Sequence, residues 1–377
     1  MKFHDFKSGT FTKHDGYKAF LPATINHAWG WDNPEINLLL EKASAELGGL
    51  NSFAELIPDI EIYIAMHIYN EANKSSRIEG TKTTIEEDLL PIEDILPEKR
   101  NDYIEVKNYI RALNYGIERV KGGFPLCNRL LREIHKILLQ GARGEYKTPG
   151  EFRTSQNWIG GTRPDNAYYV PPHVSYLPEL LSDFEKFIHE DNPLPHLIKI
   201  ALLHYQFETI HPFLDGNGRI GRLLIPLYLL EKNSLEKPCF YISDYLEKHR
   251  KEYFEALDRV RLNNDIEYWI KFFLEATIFT AQTAKNKFKA VVSLIEEYRR
   301  QLSGFSGKIQ VHQGILRTFY SNPIQSSKDI QSITENRQST VDKSLKQLVD
   351  AGILQEITGN NRNRIFALGK YIDIFRG

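Results

Sequence analysis

Apolar residues recur every three or four positions along most of this chain, which is the period of a helix with one buried face. The pattern predicts helices over the segments 33–47, 59–76, 104–120, 127–139, 194–210, 247–261 and 266–302. Residues 1 to about 30 are instead rich in glycine, proline and aromatic side chains. We expect these first residues to form an irregular arm over a mainly α-helical body.

One internal segment departs from the helical period. Two short runs, 156–159 and 167–170, lie on either side of a turn that contains Gly-Gly and Pro-Asp-Asn. This arrangement predicts a β-hairpin carried by the helical body.

The C-terminal segment has shorter elements and a different charge. Three short helices are predicted over 311–322, 326–334 and 337–353, followed by two strands around a Gly-Asn-Asn-Arg turn. This order resembles a winged helix, with residues 338–349 in the place of the recognition helix. Residues 308–377 carry ten Lys/Arg and six Asp/Glu, a surplus of +4 against about −5 for the rest of the chain.

Two functions stay open for this segment. In the first it binds DNA, with contacts from Arg337, Lys343, Lys346, Arg362 and Arg364. In the second it docks a protein or a second copy of the chain, because winged helices serve that purpose as well. A homodimer therefore stays open.

Composition narrows the class of protein. The 377 residues are 26% charged and 41% apolar, as in folded soluble proteins, and the net charge of −1 gives no general attraction to nucleic acid. Two cysteines, Cys127 and Cys239, exclude a disulfide framework and a cysteine zinc module, which fits a cytoplasmic location. The polar first residues predict no signal peptide, and no apolar run is long enough to predict a membrane span.

The stretch HPFLDGNGRIGR at 211–222 combines glycines with several unlike polar groups, directly before an apolar helical run. Backbone N–H groups at a helix start attract anions, and glycine lets a phosphate approach them. Arg219 and Arg222 suit phosphate oxygens, Asp215 suits Mg²⁺, and His211 can accept a proton near neutral pH. These parts suit phosphoryl or nucleotidyl transfer, although a glycine-rich helix cap would use similar residues.

Other nucleotide and metal motifs are absent from the sequence. There is no GxxxxGK[ST] loop, which excludes a P-loop protein. His196, His204 and His211 are spaced by eight and seven residues and form no i,i+4 zinc pair, so we expect His204 to be a core histidine. Pro226 lies well inside the helix that follows the motif and predicts a kink there.

Residues 211–222 resemble, position for position, the Fic motif HPFx(D/E)GNGRxxR. The resemblance extends to the preceding helix 194–210, to the hairpin region 152–172, which would be the flap, and to 237–261. It implies a mainly α fold in three parts: an N-terminal region with an inhibitory helix (1–100), a Fic catalytic core with a β-hairpin flap (101–300) and a winged-helix domain (308–377).

The resemblance also implies an activity. His211 would be the general base that deprotonates a Ser, Thr or Tyr hydroxyl of a target protein, which then attacks the α-phosphate of ATP and keeps AMP. Asp215 would hold Mg²⁺, and the ATP phosphates would lie against Gly216, Asn217, Gly218, Arg219, Ile220, Gly221 and Arg222. The flap residues Ile159, Gly160, Gly161 and Thr162 would hold the target segment and close over the nucleotide. Adenine would face Tyr253, Phe254 and Arg261, although helix packing explains Tyr253 and Phe254 equally well.

A second stretch, SSRIEG at 75–80, ends the predicted helix 59–76. Ser75 and Glu79 share a helix face, and Gly80 suits the position after a helix. The stretch resembles the (S/T)xxxE(G/N) inhibitory motif of Fic proteins. The resemblance implies that Glu79 forms a bidentate pair with Arg222, that the protein is nearly idle, and that the same carboxylate could assist removal of AMP. The alternative function is a DNA-binding regulator whose Fic body only senses nucleotide.

Overall fold

The computed structural model describes residues 1–191, 193–305, 309–359 and 364–376. Helices dominate it, as the periodicity predicts. Those in the first 302 residues are α1 (Pro34–Leu56), α2 (Ile60–Ile78), α3 (Ile85–Leu89), α4 (Arg100–Lys121), α5 (Asn128–Leu138), α6 (Leu177–His189), α7 (His196–Ile210), α8 (Asn217–Glu231), α9 (Ser243–Lys248), α10 (Arg250–Asn263) and α11 (Ile266–Leu302).

The helical body is built around α7 and α8, which pack against each other and are buried along almost their whole length. Helix α4 packs on α8, α5 and α2, while the long helix α11 packs on α1, α7 and α10. Helix α8 continues through Pro226, which is buried within it, so the proline does not end the helix.

The first residues are more regular than their composition predicts. Strands β1 (Gly9–His14) and β2 (Tyr17–Pro22) form an antiparallel hairpin around Asp15 and Gly16, and Gly16 has a φ of 80°. The expectation of an irregular arm is therefore wrong for residues 9–22. An Asp-Gly pair between short alternating runs is a recognised hairpin signal, and it was available in the sequence.

The predicted flap hairpin is reduced to one paired position. Ile159 and Tyr169 form an isolated antiparallel bridge, and no strand extends from it among the described residues. The turn is closed by a side chain, because Asn166 Oδ1 accepts hydrogen bonds from the backbone N–H groups of Thr162 and Arg163, both at 2.9 Å. A side chain that satisfies these donors replaces the backbone ladder of a hairpin.

The C-terminal segment contains α12 (Ile309–Ser321), β3 (Ile324–Ser326), α13 (Ser327–Thr334), α14 (Gln338–Asp350), β4 (Gln355–Glu356), β5 (Ile365–Ala367) and α15 (Gly369–Arg376). The strands form an antiparallel sheet in the order β3-β5-β4. The three short helices and two later strands are confirmed, whereas β3 and α15 were not predicted. The winged-helix assignment stays a prediction, and Arg362 lies outside the described residues.

The C-terminal segment packs on the N-terminal part of the body. The Phe375 ring in α15 meets the His67 ring in α2 at 5.0 Å, and the Tyr320 ring in α12 meets Tyr63 at 5.6 Å. Helix α2 is thus covered by the end of the chain. Across the described ranges, no helix combines the length and apolar character needed to cross a membrane.

Candidate functional site

The motif loop 211–216 connects the end of α7 to the start of α8. His211 caps α7 with a φ of 51°, and Gly216 precedes α8 with a φ of 76°. Both values lie in the left-handed region, which turns the chain sharply between two buried helices. The loop is therefore anchored at each end by a buried helix.

Side chains from distant parts of the sequence hold this loop. Arg153 donates from Nε to the His211 carbonyl oxygen (3.0 Å), and Asn157 donates to the Phe213 carbonyl oxygen (2.7 Å). His135 lies 3.0 Å from the Asp215 carbonyl oxygen through Nε2 and stacks on the Phe213 ring at 3.8 Å. None of these three residues was singled out from the sequence, because no local motif marks a partner that lies tens of residues away.

Asn217 belongs to the same support. Its Oδ1 accepts from the Phe213 N–H, and its Nδ2 donates to the Phe213 carbonyl oxygen, both at 2.8 Å. Both polar ends of the side chain close the loop, and the residue is 2% exposed. The structure thus leaves only the backbone of Asn217, and not its side chain, for the predicted phosphate contact.

His211 is arranged to accept a proton. Its Nδ1 lies 3.3 Å from the Glu208 carbonyl oxygen, which can only accept, so Nδ1 carries the hydrogen and Nε2 is left unprotonated. Burial lowers the pKa of His211 to about 4, so the ring is neutral at pH 7. In the part of the chain that the structure describes, Nε2 makes no hydrogen bond.

The start of α8 carries the predicted phosphate and metal residues. Arg219 is 4% exposed and donates to Glu105 of α4 at 3.1 Å, a partner that the sequence did not reveal. Its other contact is Asp215 Oδ1 at 3.4 Å, and this carboxylate also accepts from the Gly216 N–H at 2.6 Å. Ile220 is fully buried and contributes to the core.

One carboxylate at this position fits the chemistry of Mg²⁺, which proteins hold through one or two carboxylates while nucleotide phosphates supply the other ligands. The Asp215 side chain is 42% exposed and uses Oδ1 for both of its contacts. Among the described residues, no group of three or more His, Cys, Asp or Glu side chains could hold a metal without such help.

The end of α2 meets Arg222 of α8. Arg222 donates from Nε to Ser75 Oγ (2.8 Å) and from Nη2 to the Ser75 carbonyl oxygen (2.9 Å) and to Glu79 Oε1 (2.6 Å). The pair with Glu79 is therefore a single contact rather than the expected bidentate one, because Ser75 takes the Nε end of the guanidinium. Gly80 has a φ of 105°, in agreement with its predicted place after the helix.

The Glu79 carboxylate also occupies the start of α8. A Cβ placed on Gly218 would lie 2.3 Å from Glu79 Oε1, so the carboxylate lies directly on this glycine. Burial raises the pKa of Glu79, but the Arg222 charge outweighs this effect and leaves the pKa below its ordinary value. Glu79 is thus anionic at neutral pH in the space beside the α8 N-terminus.

Two further titratable groups surround Arg222. His204 Nδ1 lies 2.8 Å from the Gly221 carbonyl oxygen, and its Nε2 lies 2.9 Å from the Tyr253 hydroxyl, which makes His204 the core histidine that we expected. Glu208 is buried, its Oε1 has no hydrogen-bond partner among the described residues, and burial raises its pKa to about 7. A Cβ on Gly221 would lie 2.2 Å from this oxygen.

The flap and α10 enclose a cavity of about 830 Å³, lined by Ile159, Gly160 and Phe254 among others. Tyr253 does not line it, because its ring is 1% exposed and its hydroxyl is engaged by His204. Arg261 is also buried and donates to the Glu208 carbonyl oxygen at 3.2 Å. Of the three predicted adenine residues, the structure brings only Phe254 to this cavity, and of the four predicted flap residues only Ile159 and Gly160 line it.

Sequence comparison bears directly on this arrangement. The Fic/DOC family model matches residues 125–229, and the Fic/DOC family N-terminal model matches residues 37–118. The chain belongs to the Fic/DOC family. The first match contains the whole Fic motif, and the second contains α2 with Ser75 and Glu79.

Relatives of this Fic protein are known from insects. The Protein adenylyltransferase Fic of Aedes aegypti is 35% identical over 222 residues, and that of Culex quinquefasciatus is 29% identical over 222 residues. In both cases the match covers 58% of this chain and 40% of the relative, so the chain spans less than half the length of these curated relatives.

Solved structures share the fold. A Fic family protein from Desulfovibrio desulfuricans superposes with a TM-score of 0.54 and 19% identity, over 89% of this chain and 96% of that chain. Fic-1 of C. elegans (residues 134–508) superposes with a TM-score of 0.51 and 18% identity, over 68% and 75% of the two chains. At these identities the likeness concerns the fold, which confirms the mainly α Fic architecture.

Proposed function

We propose that this Fic protein is an adenylyltransferase that moves AMP from ATP to a Ser, Thr or Tyr hydroxyl of a target protein. The observation that carries the proposal is the neutral His211 ring in the loop that leads into the glycine-rich start of α8, with no hydrogen bond to its Nε2 among the described residues. The insect relatives that share the motif are named Protein adenylyltransferase Fic, which supports the same reaction.

The reaction needs a base, an anion site and an exit for the leaving group. His211 Nε2 accepts the proton of the hydroxyl, and the hydroxyl oxygen forms a bond to the α-phosphorus of ATP. The bond from that phosphorus to the bridging oxygen breaks, and pyrophosphate leaves with the electron pair. Backbone N–H groups of Gly218 and its neighbours stabilise the charge that develops on the phosphates. Mg²⁺, which Asp215 would hold, adds a counter-charge when bound.

Arg219 and Arg222 would bind phosphate only after exchanging partners. Arg219 now pairs with Glu105, and Arg222 pairs with Ser75 and Glu79. Because Glu79 also lies on Gly218, it engages the Arg222 guanidinium and fills the space beside the α8 N-terminus that the terminal phosphates would need. We therefore propose that Glu79 inhibits the enzyme by preventing the pose in which ATP reacts, and that the same carboxylate assists the removal of AMP.

Labelling with ATP radioactive at the α-phosphorus tests this function. We expect the wild type to label itself weakly and the Glu79→Gly variant to label itself strongly. The Glu79→Gly/His211→Ala double variant should be inactive because it lacks the base. Absence of label in Glu79→Gly, with Mg²⁺ present and the fold intact, would contradict the transferase. Equal labelling by the wild type and Glu79→Gly would contradict the inhibition alone.

A further inference from the structure

The N-terminal hairpin is an extension of the flap. The Phe20 N–H of β2 donates to the Val170 carbonyl oxygen at 2.9 Å, beside the position where Tyr169 pairs with Ile159. The tip of the hairpin is fixed by a stacked contact between His14 and His173, whose ring centres are 4.7 Å apart. The hairpin therefore lies next to the segment that would close over the nucleotide.

A cavity of about 610 Å³ opens between this hairpin, the flap and α10. We call it the hairpin cleft, and its lining includes Phe11, Lys13, Lys18, Tyr168, Asp258 and Leu262. Three of them expose large apolar or aromatic side chains: Phe11 is 54% exposed, Leu262 is 65% exposed and Tyr168 is 68% exposed. An exposed apolar cluster of this kind is typical of a contact surface.

The cleft is lined by two lysines of the hairpin and by two carboxylates, of which Asp165 is paired with Arg163 at 3.1 Å. Lys13 and Lys18 lie directly opposite each other in the β1–β2 ladder, and within the described ranges neither forms an ion pair. Like charges at directly opposed positions destabilise a hairpin. The carboxylate of Asp258 is already engaged by Arg261 at 3.4 Å and by the Tyr168 hydroxyl. Both carboxylates of the lining are thus engaged, and Asp15 in the hairpin turn forms no ion pair with either lysine among the described residues. An anionic ligand would supply the counter-charge that Lys13 and Lys18 lack.

The free edge of β1 favours a polypeptide as the ligand. Among the described residues β1 pairs with β2 alone, so its outer edge presents free backbone N–H and C=O groups. An extended peptide can add to such an edge through its own main chain. Arg261, the arginine in the lining, has its Nη2 and Nε bound to the Glu208 carbonyl oxygen and Thr209, which leaves no open fork for a phosphate group.

We propose that the hairpin cleft binds an acidic segment with apolar side chains from the target protein and so selects which hydroxyl reaches His211. The selection of the hydroxyl rests on the proposed transferase function, whereas the binding of the acidic segment does not. Lys13 and Lys18 would pair with the acidic side chains, while Phe11 and Leu262 would pack against the apolar ones.

Peptide binding tests the cleft without any need for catalysis. The probe is a short fluorescein-labelled peptide rich in Glu and Phe with one Tyr, compared with the same peptide carrying Lys in place of Glu. We expect the wild type to bind the acidic peptide about tenfold more tightly, and Lys18→Glu to remove this preference. Lys42→Glu, which changes an exposed lysine of α1 that forms no ion pair in the described residues, is the matched control.

Two further readouts separate docking from a structural role. Lys18→Glu places opposite charges at Lys13 and position 18, so it should raise the unfolding midpoint slightly while it weakens binding. In the Glu79→Gly background it should raise KM for the acidic peptide about tenfold and leave kcat unchanged.

Equal binding of both peptides would contradict the proposed peptide site. An equal loss of affinity for the acidic peptide in Lys42→Glu and Lys18→Glu would contradict it as well. If Glu79→Gly binds the acidic peptide but transfers no AMP, the peptide site is supported and the transferase function is contradicted. Self-labelling by Glu79→Gly, with no preference between the peptides, would contradict only the cleft.

Discussion

At the scale of single residues, the hydrogen bonds of His211 and Ser75 decide their roles. For His211, the hydrogen on Nδ1 faces the Glu208 carbonyl oxygen, which leaves Nε2 as the acceptor. We predict that His211→Ala in the Glu79→Gly background reduces labelling by about two orders of magnitude or more, the usual effect of losing a positioned base. Because the phosphates are held by α8 and not by the imidazole, ATP affinity measured by calorimetry should stay nearly unchanged. Normal labelling by this variant would exclude His211 as the base.

Ser75 holds the other end of Arg222 through its hydroxyl and carbonyl oxygens. Ser75→Ala removes the hydroxyl acceptor of a charged donor, a contact of about 1.5–3 kcal/mol. We predict a severalfold rise in self-labelling, smaller than that of Glu79→Gly because the carboxylate remains. The neighbouring Ser76 is equally buried, and its Oγ has no partner among the described residues, so Ser76→Ala is the matched control. A rise of the same size in both variants would show that the effect is not specific to Arg222.

At the scale of elements, the contact between α7 and α8 depends on Gly221. A Cβ at this position would lie 2.2 Å from Glu208 Oε1 and 3.2 Å from the Phe207 ring, and both side chains are buried. We predict that Gly221→Ala lowers the free energy of unfolding by about 1–3 kcal/mol, as overpacking does, measured by urea denaturation. Gly48→Ala in α1 has nothing within 4 Å and should instead raise it by up to about 1 kcal/mol. Unchanged stability of Gly221→Ala would mean that the Glu208 side chain moves aside without cost, and would contradict the close packing at this position.

The sequence predicts helices well because their burial follows a local period. It also predicts the residues of the Fic motif, which lie within twelve positions of one another. It does not predict Arg153, His135 or Glu105, because a hydrogen bond between distant residues leaves no periodic signal. The sequence predicts two strands in the flap where the structure has a single bridge. The alternation of side chains does not show that Asn166 accepts the backbone hydrogen bonds of the turn. The N-terminal hairpin was missed although its turn residues were present.

For the whole molecule, buried histidines set the response to acid. Burial lowers the pKa of His67 and His204 to about 3 and that of His135 and His211 to about 4. In the unfolded chain these groups titrate near about 6.5. Between the folded and the unfolded pKa values, the unfolded state binds more protons than the folded state. The stability that these histidines contribute is therefore present above about pH 6.5 and is lost as the pH falls toward their folded pKa values.

Three buried carboxyls act in the opposite direction, and one of them is Glu71, whose pKa burial raises. Burial raises the pKa of Asp88 to about 6 and that of Glu208 to about 7, so their contribution is lost as the pH rises through these values. Since four histidines oppose three carboxyls, we predict a lower free energy of unfolding at pH 5 than at pH 7 in urea titrations. Glu208→Gln removes one opposing group and should steepen this dependence. A shallower dependence in Glu208→Gln would contradict the raised pKa.

The packing of the C-terminal segment on α2 links the end of the chain to the inhibitory contact. Phe375 is fully buried and its ring meets His67 edge to face, while Arg376 pairs with Glu86 in α3, directly after the inhibitory stretch. Both helices that flank Glu79 are therefore held by α15. Loss of the Phe375 ring should loosen α2 and with it the pair between Glu79 and Arg222.

We therefore predict that Phe375→Ala raises self-labelling in the otherwise wild-type protein toward the level of Glu79→Gly. The matched control is Ile330→Ala in α13, which removes an equally buried side chain from a helix that packs on α12, α14 and β3. Each substitution should cost about 2–5 kcal/mol of local stability, but only Phe375→Ala should change activity. In the Glu79→Gly background Phe375→Ala should add nothing, because the inhibitory carboxylate is already gone. A rise in that background, or the same rise with Ile330→Ala, would show that α15 affects the enzyme by a route other than α2.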